Sequence, residues 1–365
     1  MYTRAKAGKM AGVISGIKSC YMKLLTIAFV LALAGGTGCV KTALNGGTDT
    51  LRNVTGSSDA SSSFAYGSDV SWVTQMEASG YEFYNNSGVQ QNLFTILGGK
   101  GINAIRLRVW VNPAGGWCNT ADVVNKALSA KAAGMSILID FHYSDTWADP
   151  GAQTVPAAWA SENFTQLMAT VYSYTESVLN TLKANGITPT WVQVGNETNN
   201  GMLWPLGEAS LNMENYAWLV NCGYNATKAV FPSCKVIVHL ANGYDTSDFE
   251  WLFDGLKANG ASWDVIGMSL YPTASNWQTY DAECLTNMQT MISRYGKQVM
   301  ICEVGFAEND PTDAEAFLKD IIAKTQSVSG LGVFYWEPEC YNGWQGYGEG
   351  AFGTNGEPTA AMNAF

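Results

Sequence analysis

Two glutamates close short apolar runs in this chain. Glu197 ends Trp191-Val-Gln-Val-Gly-Asn-Glu, and Glu303 ends Val299-Met-Ile-Cys-Glu. Two carboxyls facing one bond can divide the labour of hydrolysis. One, with a raised pKa, gives up a proton; the other stays ionised and attacks carbon or activates water. Other reactive side chains close similar runs: Arg108 after Asn103-Ala-Ile-Arg-Leu, His142 after Ser136-Ile-Leu-Ile-Asp-Phe, and Tyr271 after Asp264-Val-Ile-Gly-Met-Ser-Leu. His239 ends Lys235-Val-Ile-Val, and Trp336 ends Gly332-Val-Phe-Tyr. The chain has only two histidines, and both stand at such ends. A lone glutamate at a strand end is usually a solvated or salt-bridged residue, and a lone histidine there is usually packed. Seven reactive residues in the same relative position argue for a shared site.

The elements that would position them follow from the runs themselves. Each has four to eight residues, is rich in β-branched or aromatic types and is apolar on both faces, as in parallel strands covered on both sides. An eighth run, Ala65-Tyr-Gly-Ser-Asp69, precedes the others. Between the runs lie amphipathic stretches with helix punctuation. Asn119-Thr120 caps one and Pro311 opens another, while Gly134, Gly186, Gly260, Gly296 and Gly330 mark ends. Most run ends recur about every 33 residues, close to one unit of a (β/α)₈ barrel of roughly 250 residues. A longer gap places an insertion, residues 143–159, after the third strand. No Gly-x-Gly-x-x-Gly follows the first strand, against a dinucleotide-binding sheet. The expected fold is an α/β, single-domain (β/α)₈ (TIM) barrel over residues 64–365, with its site where the strands' C-terminal ends converge.

Composition narrows the ligand. Charged residues are 14% of the 365 and the net charge is −11, so nucleic acid and anionic membrane surfaces are poor partners. Aromatics are 12%, which suits a flat neutral ligand such as a sugar as well as it suits a core. Residues 1–39 read as a signal peptide. Met22-Lys23 precedes an apolar run from Leu24 to Ala34, then Gly-Gly-Thr-Gly-Cys39. That run is long enough for a signal core and too short for a span of about 20 residues. The small residues before Cys39 point to lipidation there, giving an envelope lipoprotein at the outer membrane or cell surface; simple secretion is the alternative. Residues 40–63, rich in Ser, Thr, Gly and Asp, read as a flexible tether. Six cysteines follow it with no metal-type spacing, and Cys302 reads as a buried free thiol.

The motifs around these run ends resemble those of glycoside hydrolase family 53, the endo-β-1,4-galactanases. The likeness is carried by Gly-Ile-Asn-Ala-Ile-Arg-Leu-Arg-Val-Trp-Val-Asn-Pro (101–113), Asp-Phe-His-Tyr-Ser-Asp-Thr-Trp-Ala-Asp-Pro-Gly (140–151) and Trp-Val-Gln-Val-Gly-Asn-Glu-Thr-Asn-Asn-Gly-Met-Leu-Trp-Pro (191–205). His-Leu-Ala-Asn-Gly (239–243), Asp-Val-Ile-Gly-Met-Ser-Leu-Tyr-Pro (264–272) and Trp-Glu-Pro (336–338) continue it. The resemblance implies a retaining enzyme whose acid/base follows an Asn on strand four and whose nucleophile lies on strand seven, here Glu197 and Glu303. It implies an endo-acting hydrolase of β-1,4-galactan, the side chain of pectin and arabinogalactan. Another β-1,4-glycanase (mannanase or cellulase type) and a non-catalytic surface glycan-binding lipoprotein are the rival readings. The candidate substrate-binding set is Arg106, Arg108, Asp140, His142, Tyr143, Asn196, His239, Tyr271 and Trp336. Arg106, Arg108 and Tyr271 are expected to keep Glu303 ionised, and the two carboxyls to stand about 5–5.5 Å apart, as retention requires. The loop after strand seven, 304–311, is short and lacks the alternating ligand run through which some relatives hold calcium, so neither metal nor cofactor is expected. The protein is expected to act as a monomer on its polysaccharide.

Overall fold

The computed structural model describes residues 64–365. The leader, Cys20, Cys39 and the 40–63 tether lie outside them. Eight strands pair in chain order, all parallel: β1 (Ala65–Asp69), β2 (Ala104–Val109), β3 (Ser136–Phe141), β4 (Trp191–Val194), β5 (Lys235–Leu240), β6 (Val265–Leu270), β7 (Gln298–Val304) and β8 (Gly332–Trp336). β8 pairs with β1 and closes a barrel, as the run spacing predicts.

Helices cover the outside. Two short ones, α1 (Val73–Ala78) and α2 (Leu93–Gly99), fill the first connection. Single helices α3 (Thr120–Ala132), α4 (Phe164–Ala184), α5 (Met213–Val230), α6 (Thr246–Ala258), α7 (Trp277–Tyr295) and α8 (Pro311–Ser327) fill the next six. Only 3₁₀ turns, Trp344–Gly346 and Ala360–Ala364, follow β8. The punctuation works largely as read. Asn119 accepts from the Asp122 N–H to cap α3, and Asp310 caps α8 with Pro311 at its first position. Gly134, Gly186, Gly260 and Gly296 take positive φ after α3, α4, α6 and α7. Gly330 does not. Ser329 makes the left-handed turn after α8 (φ 56°), and Gly330 is needed for space, since a Cβ there would lie 2.5 Å from the Thr325 methyl.

Period-two alternation divides the strands between two cores. Ala104, Leu138, Trp191, Ile237, Val265 and Met300 point inward with Phe334 and fill the barrel. Ile105, Leu107, Ile139, Phe141, Val192 and Val238 point outward against the helices. One strand breaks the period. Met268 of β6 pairs with Ile301, but the next residue, Ser269, pairs with Glu303. Cys302 is therefore the extra residue of a β-bulge. It faces the barrel core, and Glu303 after it faces the cleft. Cys302 is buried and, like the other five cysteines among the described residues, free.

Candidate active site

Arg106 projects inward from β2 and is the buried centre of the barrel mouth. It donates from Nη1 to Asp69 Oδ2 (2.7 Å) and from Nη2 to Asp140 Oδ2 (2.9 Å) and Asn196 Oδ1 (2.9 Å), and Nη2 is ion-paired with Glu303 Oε1 at 2.8 Å. Burial alone would lower its pKa, but the charges of Asp140, Glu303 and Asp69 reverse that, so it stays cationic. Gln193 ties the floor together, donating to Asp140 Oδ1 (2.6 Å) and Asn196 Oδ1 (3.1 Å).

The two glutamates meet this floor differently. Glu303 receives Arg106 on Oε1 and the Tyr271 hydroxyl on Oε2 (2.8 Å). Burial raises its pKa, and Arg106 and Tyr271 pull it only part of the way back, so it stays above the ordinary carboxylate value. Glu197 stands just past β4 in a left-handed conformation (φ 45°), beyond Gly195, whose φ of 82° turns the chain into the mouth. A non-glycine residue held there is strained, as is common at functional sites. Burial, and then the charge of Glu303, push Glu197 up to about 8. A shared proton therefore resides on Glu197, and Glu303 keeps the negative charge. Two carboxyls in one cleft, one favoured to hold a proton and the other to be ionised, are the kind of pair that cleavage of a glycosidic bond by the retaining route needs.

The cleft encloses about 540 Å³. Of the residues singled out from sequence, His142, Asn196, Glu197, Tyr271, Glu303 and Trp336 line it. Arg106, Asp140 and His239 lie buried beneath as its support. His142 bridges floor and wall, with Nε2 on Asp140 (2.9 Å) and Nδ1 accepting from the Trp110 indole (3.0 Å) and the Ala148 N–H (3.3 Å).

Two of the expected residues are placed elsewhere. Arg108 does not support Glu303. It pairs with Glu337 after β8 and lies among the rings of Trp72, Trp110 and Trp147, 4.5–5.2 Å from their centroids. Tyr143 follows the outward phase of β3, stacks on Phe141 and bonds Thr175 of α4 (2.8 Å), away from the cleft. Alternation from Asp140 through His142 makes the next residue point outward, a signal present in the sequence and outweighed by proximity to the motif. Residues not singled out complete the site: Trp147 and Asp149 from the insertion, Ser269 on β6, and Tyr244 after β5. Gln193 and Ser269 were detectable as polar residues inside apolar runs; the loop aromatics carried no such sign.

The cleft continues at both ends. Trp147 and Trp336 also bound a trough with Trp72, Trp110, Trp117 and Tyr347. Opposite, Tyr244, stacked on Tyr280 at 4.0 Å, is shared with a shallow depression toward Asp245 and Glu283. Among the described residues no cluster of three or more His, Cys, Asp or Glu is arranged to hold a metal.

Comparison with known proteins agrees with this geometry. The profile of "Glycosyl hydrolase family 53" matches residues 65–365. A probable arabinogalactan endo-β-1,4-galactanase A of Aspergillus fumigatus is 38% identical over 308 residues, covering 76% of this chain and 85% of the relative. The arabinogalactan endo-β-1,4-galactanase of Thermothelomyces thermophilus is 36% identical, with coverages of 74% and 88%. A solved fungal β-1,4-galactanase superposes with a TM-score of 0.76 at 31% identity, over 82% of this chain and 98% of that one. The family 53 catalytic domain of Ignisphaera aggregans gives 0.75 at 30%, over 82% and 95%. A xylanase of Thermotoga maritima, 13% identical with a TM-score of 0.57, shares the fold.

Proposed function

Because the chain belongs to glycosyl hydrolase family 53, we propose that it is a retaining endo-β-1,4-galactanase in which Glu303 is the nucleophile and Glu197 the acid/base. The observation that carries the assignment is the contrast between the two carboxyls: Glu303 has the Arg106 charge and the Tyr271 hydroxyl against it, which favour its ionised form, while burial and the charge of Glu303 push Glu197 up to about 8. Glu303 attacks the anomeric carbon as Glu197 protonates the departing glycosidic oxygen. Glu197, now a carboxylate, takes a proton from water, which releases the sugar from Glu303 with two inversions and net retention. A trough continuing past the cleft at both ends suits a polymer bound at its middle, hence internal cuts. Galactan as substrate rests on the relatives named galactanases along three-quarters of the chain; the mannanase, cellulase and pure-binding alternatives are not favoured by any of them. Incubation with galactan, mannan and cellulose, followed by product sizing and NMR of the first-formed anomer, tests the proposal. Galactan should fall to mixed short oligomers with β-anomer first. Equal turnover of mannan or cellulose would reject the substrate, and an α-anomer the mechanism.

Export through residues 1–39 with a lipid on Cys39, leaving residues 64–365 as the catalytic domain on a tether, is part of the same proposal. The support is the short apolar run ending in small residues before Cys39. Cys39→Ser should move the protein from membrane to soluble fractions. Unchanged membrane association would rule out this anchor.

A further inference from the structure

We propose that Arg108 is a positioning residue for the polymer. Its charge, seated on Glu337, clamps three tryptophans from three separate connections into one surface, and that surface holds the part of the substrate that runs past the cleft. The proposal rests on the reading of the chain as an endo-acting glycanase. It gives a role to a residue that touches neither the sugar nor the reacting atoms.

Arg108 is 1% exposed and is not among the residues that line the tryptophan trough beside the cleft. A buried guanidinium is costly unless its charge and its donors are met. Glu337 meets part of that need, taking Nη1 on Oε1. Nε and Nη2 are buried with no hydrogen-bond partner. What surrounds them is aromatic: the guanidinium carbon lies 4.5 Å from the ring centroid of Trp147, 5.0 Å from that of Trp72 and 5.2 Å from that of Trp110. All three lie within the roughly 6 Å over which a ring face attracts a cation, and burial strengthens that attraction. Apolar residues of similar volume would fill the space of the buried pair at less cost. A flat, delocalised cation is suited to attracting several rings at once.

The rings come from different parts of the chain. Trp72 follows β1, Trp110 follows β2, and Trp147 belongs to the insertion after β3. Arg108 and its partner tie these connections together. The Arg108 N–H donates to Ser71 Oγ (2.9 Å), and Glu337 Oε2 accepts from the Trp72 N–H (3.1 Å). Above the cation the rings pack edge-on, Trp147 against Trp110 at 5.0 Å and against Trp72 at 5.4 Å. Trp147 is 37% exposed and, with Trp336, bounds both the cleft and the trough. The position that Arg108 gives Trp147 is therefore felt along the path of the polymer. Among the described residues no charged side chain lines the trough; Gln75, Thr146 and Gln345 stand there beside the rings. A neutral pyranose can lay its C–H face on such rings and offer its hydroxyls to such polar groups.

Chain length is the readout that separates this role from a merely structural one. For the wild type, kcat/KM should climb along a series of β-1,4-galacto-oligosaccharides until the trough is filled. Arg108→Met combined with Glu337→Gln removes both charges and strands neither. It should raise KM for galactan and the long oligosaccharides about tenfold, the size of one or two such contacts, while kcat and the KM of the shortest cleaved members change little. Arg108→Lys keeps the ion pair but brings a compact charge that cannot face three rings. It should give the same split in smaller measure and fold as the wild type does. In a Trp147→Ala background the effect of Arg108→Lys should shrink, because the ring it acts through has gone. Equal losses at every chain length, a wild-type length series in either Arg108 variant, or an undiminished effect without Trp147 overturns the proposal. If the wild type leaves galactan intact and cuts another β-1,4-glycan, the substrate reading fails, and the same series in that glycan still tests Arg108.

Discussion

Arg106 is what distinguishes the two glutamates in the cleft. Buried beneath the mouth and bonded to Asp69, Asp140, Asn196 and Glu303, it favours the ionised form of whichever carboxyl it touches. It touches Glu303 directly and affects Glu197 only at a distance. The roles differ in what each variant should lose. Glu197→Ala should be slow on galactan, by roughly 10²–10⁴-fold for lost acid/base assistance. It should be much less impaired on an aryl galactoside whose leaving group needs no proton. Added azide should then yield a β-galactosyl azide. Glu303→Ala should be inactive on both substrates, because no covalent intermediate can form. With azide, Glu303→Ala should give an α-azide, by one direct displacement from the face the carboxylate has left; a β-azide from Glu303→Ala and an α-azide from Glu197→Ala would exchange the two assignments.

At the scale of the element, the placement of Glu303, the proposed nucleophile, depends on one irregularity in β7. Strict alternation would turn Glu303 outward, because Ile301 faces the helices. The bulge at Cys302 uses up one residue and brings Glu303 into the cleft beside Arg106. The bulge needs space, which Gly267 of β6 provides: a Cβ there would lie 2.8 Å from Cys302 Sγ. Gly267→Ala should cost about 1–3 kcal/mol by overpacking and, by displacing the bulge, lower kcat on galactan more than it raises KM. A destabilised variant with wild-type kcat would show that the bulge does not set the position of Glu303. β4 uses a different device. Gly195 at φ 82° lets the chain turn so that Asn196 anchors below while Glu197 reaches the cleft, and its Cβ would lie 2.5 Å from the Thr198 methyl.

For the whole molecule, housing protonated acids has a thermodynamic consequence. Glu197 and Asp281 of α7 are each pushed up to about 8, by burial first and then by a neighbouring carboxyl. Their folded values exceed the unfolded ones, so between those limits the native state binds protons that the unfolded chain has released. Stability from these groups is then full below about pH 4 and declines as pH rises toward 8. His239 opposes this only below about pH 6.5, where the unfolded imidazole takes up a proton and the buried one does not. From pH 6.5 to 8 these two carboxyls act in the same direction as Glu339, which burial and Glu337 raise well above the ordinary value, with a limiting slope of about 1.4 kcal/mol per pH unit for each group that titrates there. The melting temperature should fall across that interval, and Glu197→Gln with Asp281→Asn should flatten the fall. A melting temperature that rises from pH 6.5 to 8 would contradict the placement of these protons.

The amino-acid sequence by itself determined the barrel, the ends of its strands and which residues stand there. Those properties are local: an apolar run between a glycine and a polar cap forms a buried strand, and strand ends at a regular interval converge on one face. Glu197, Glu303, His142, Asn196, Tyr271 and Trp336 could therefore be placed at one cleft before any coordinates. Tertiary structure alone decided how those residues divide the work. Arg106 and Arg108 are two positions apart on one strand and point the same way, yet one bonds Glu303 and the other Glu337. The difference comes from strands β7 and β8, far away in the chain. The bulge at Cys302 and the ring cage around Arg108 arise in the same way, because a charge or a bulge is set by neighbours in space that sequence separation does not encode.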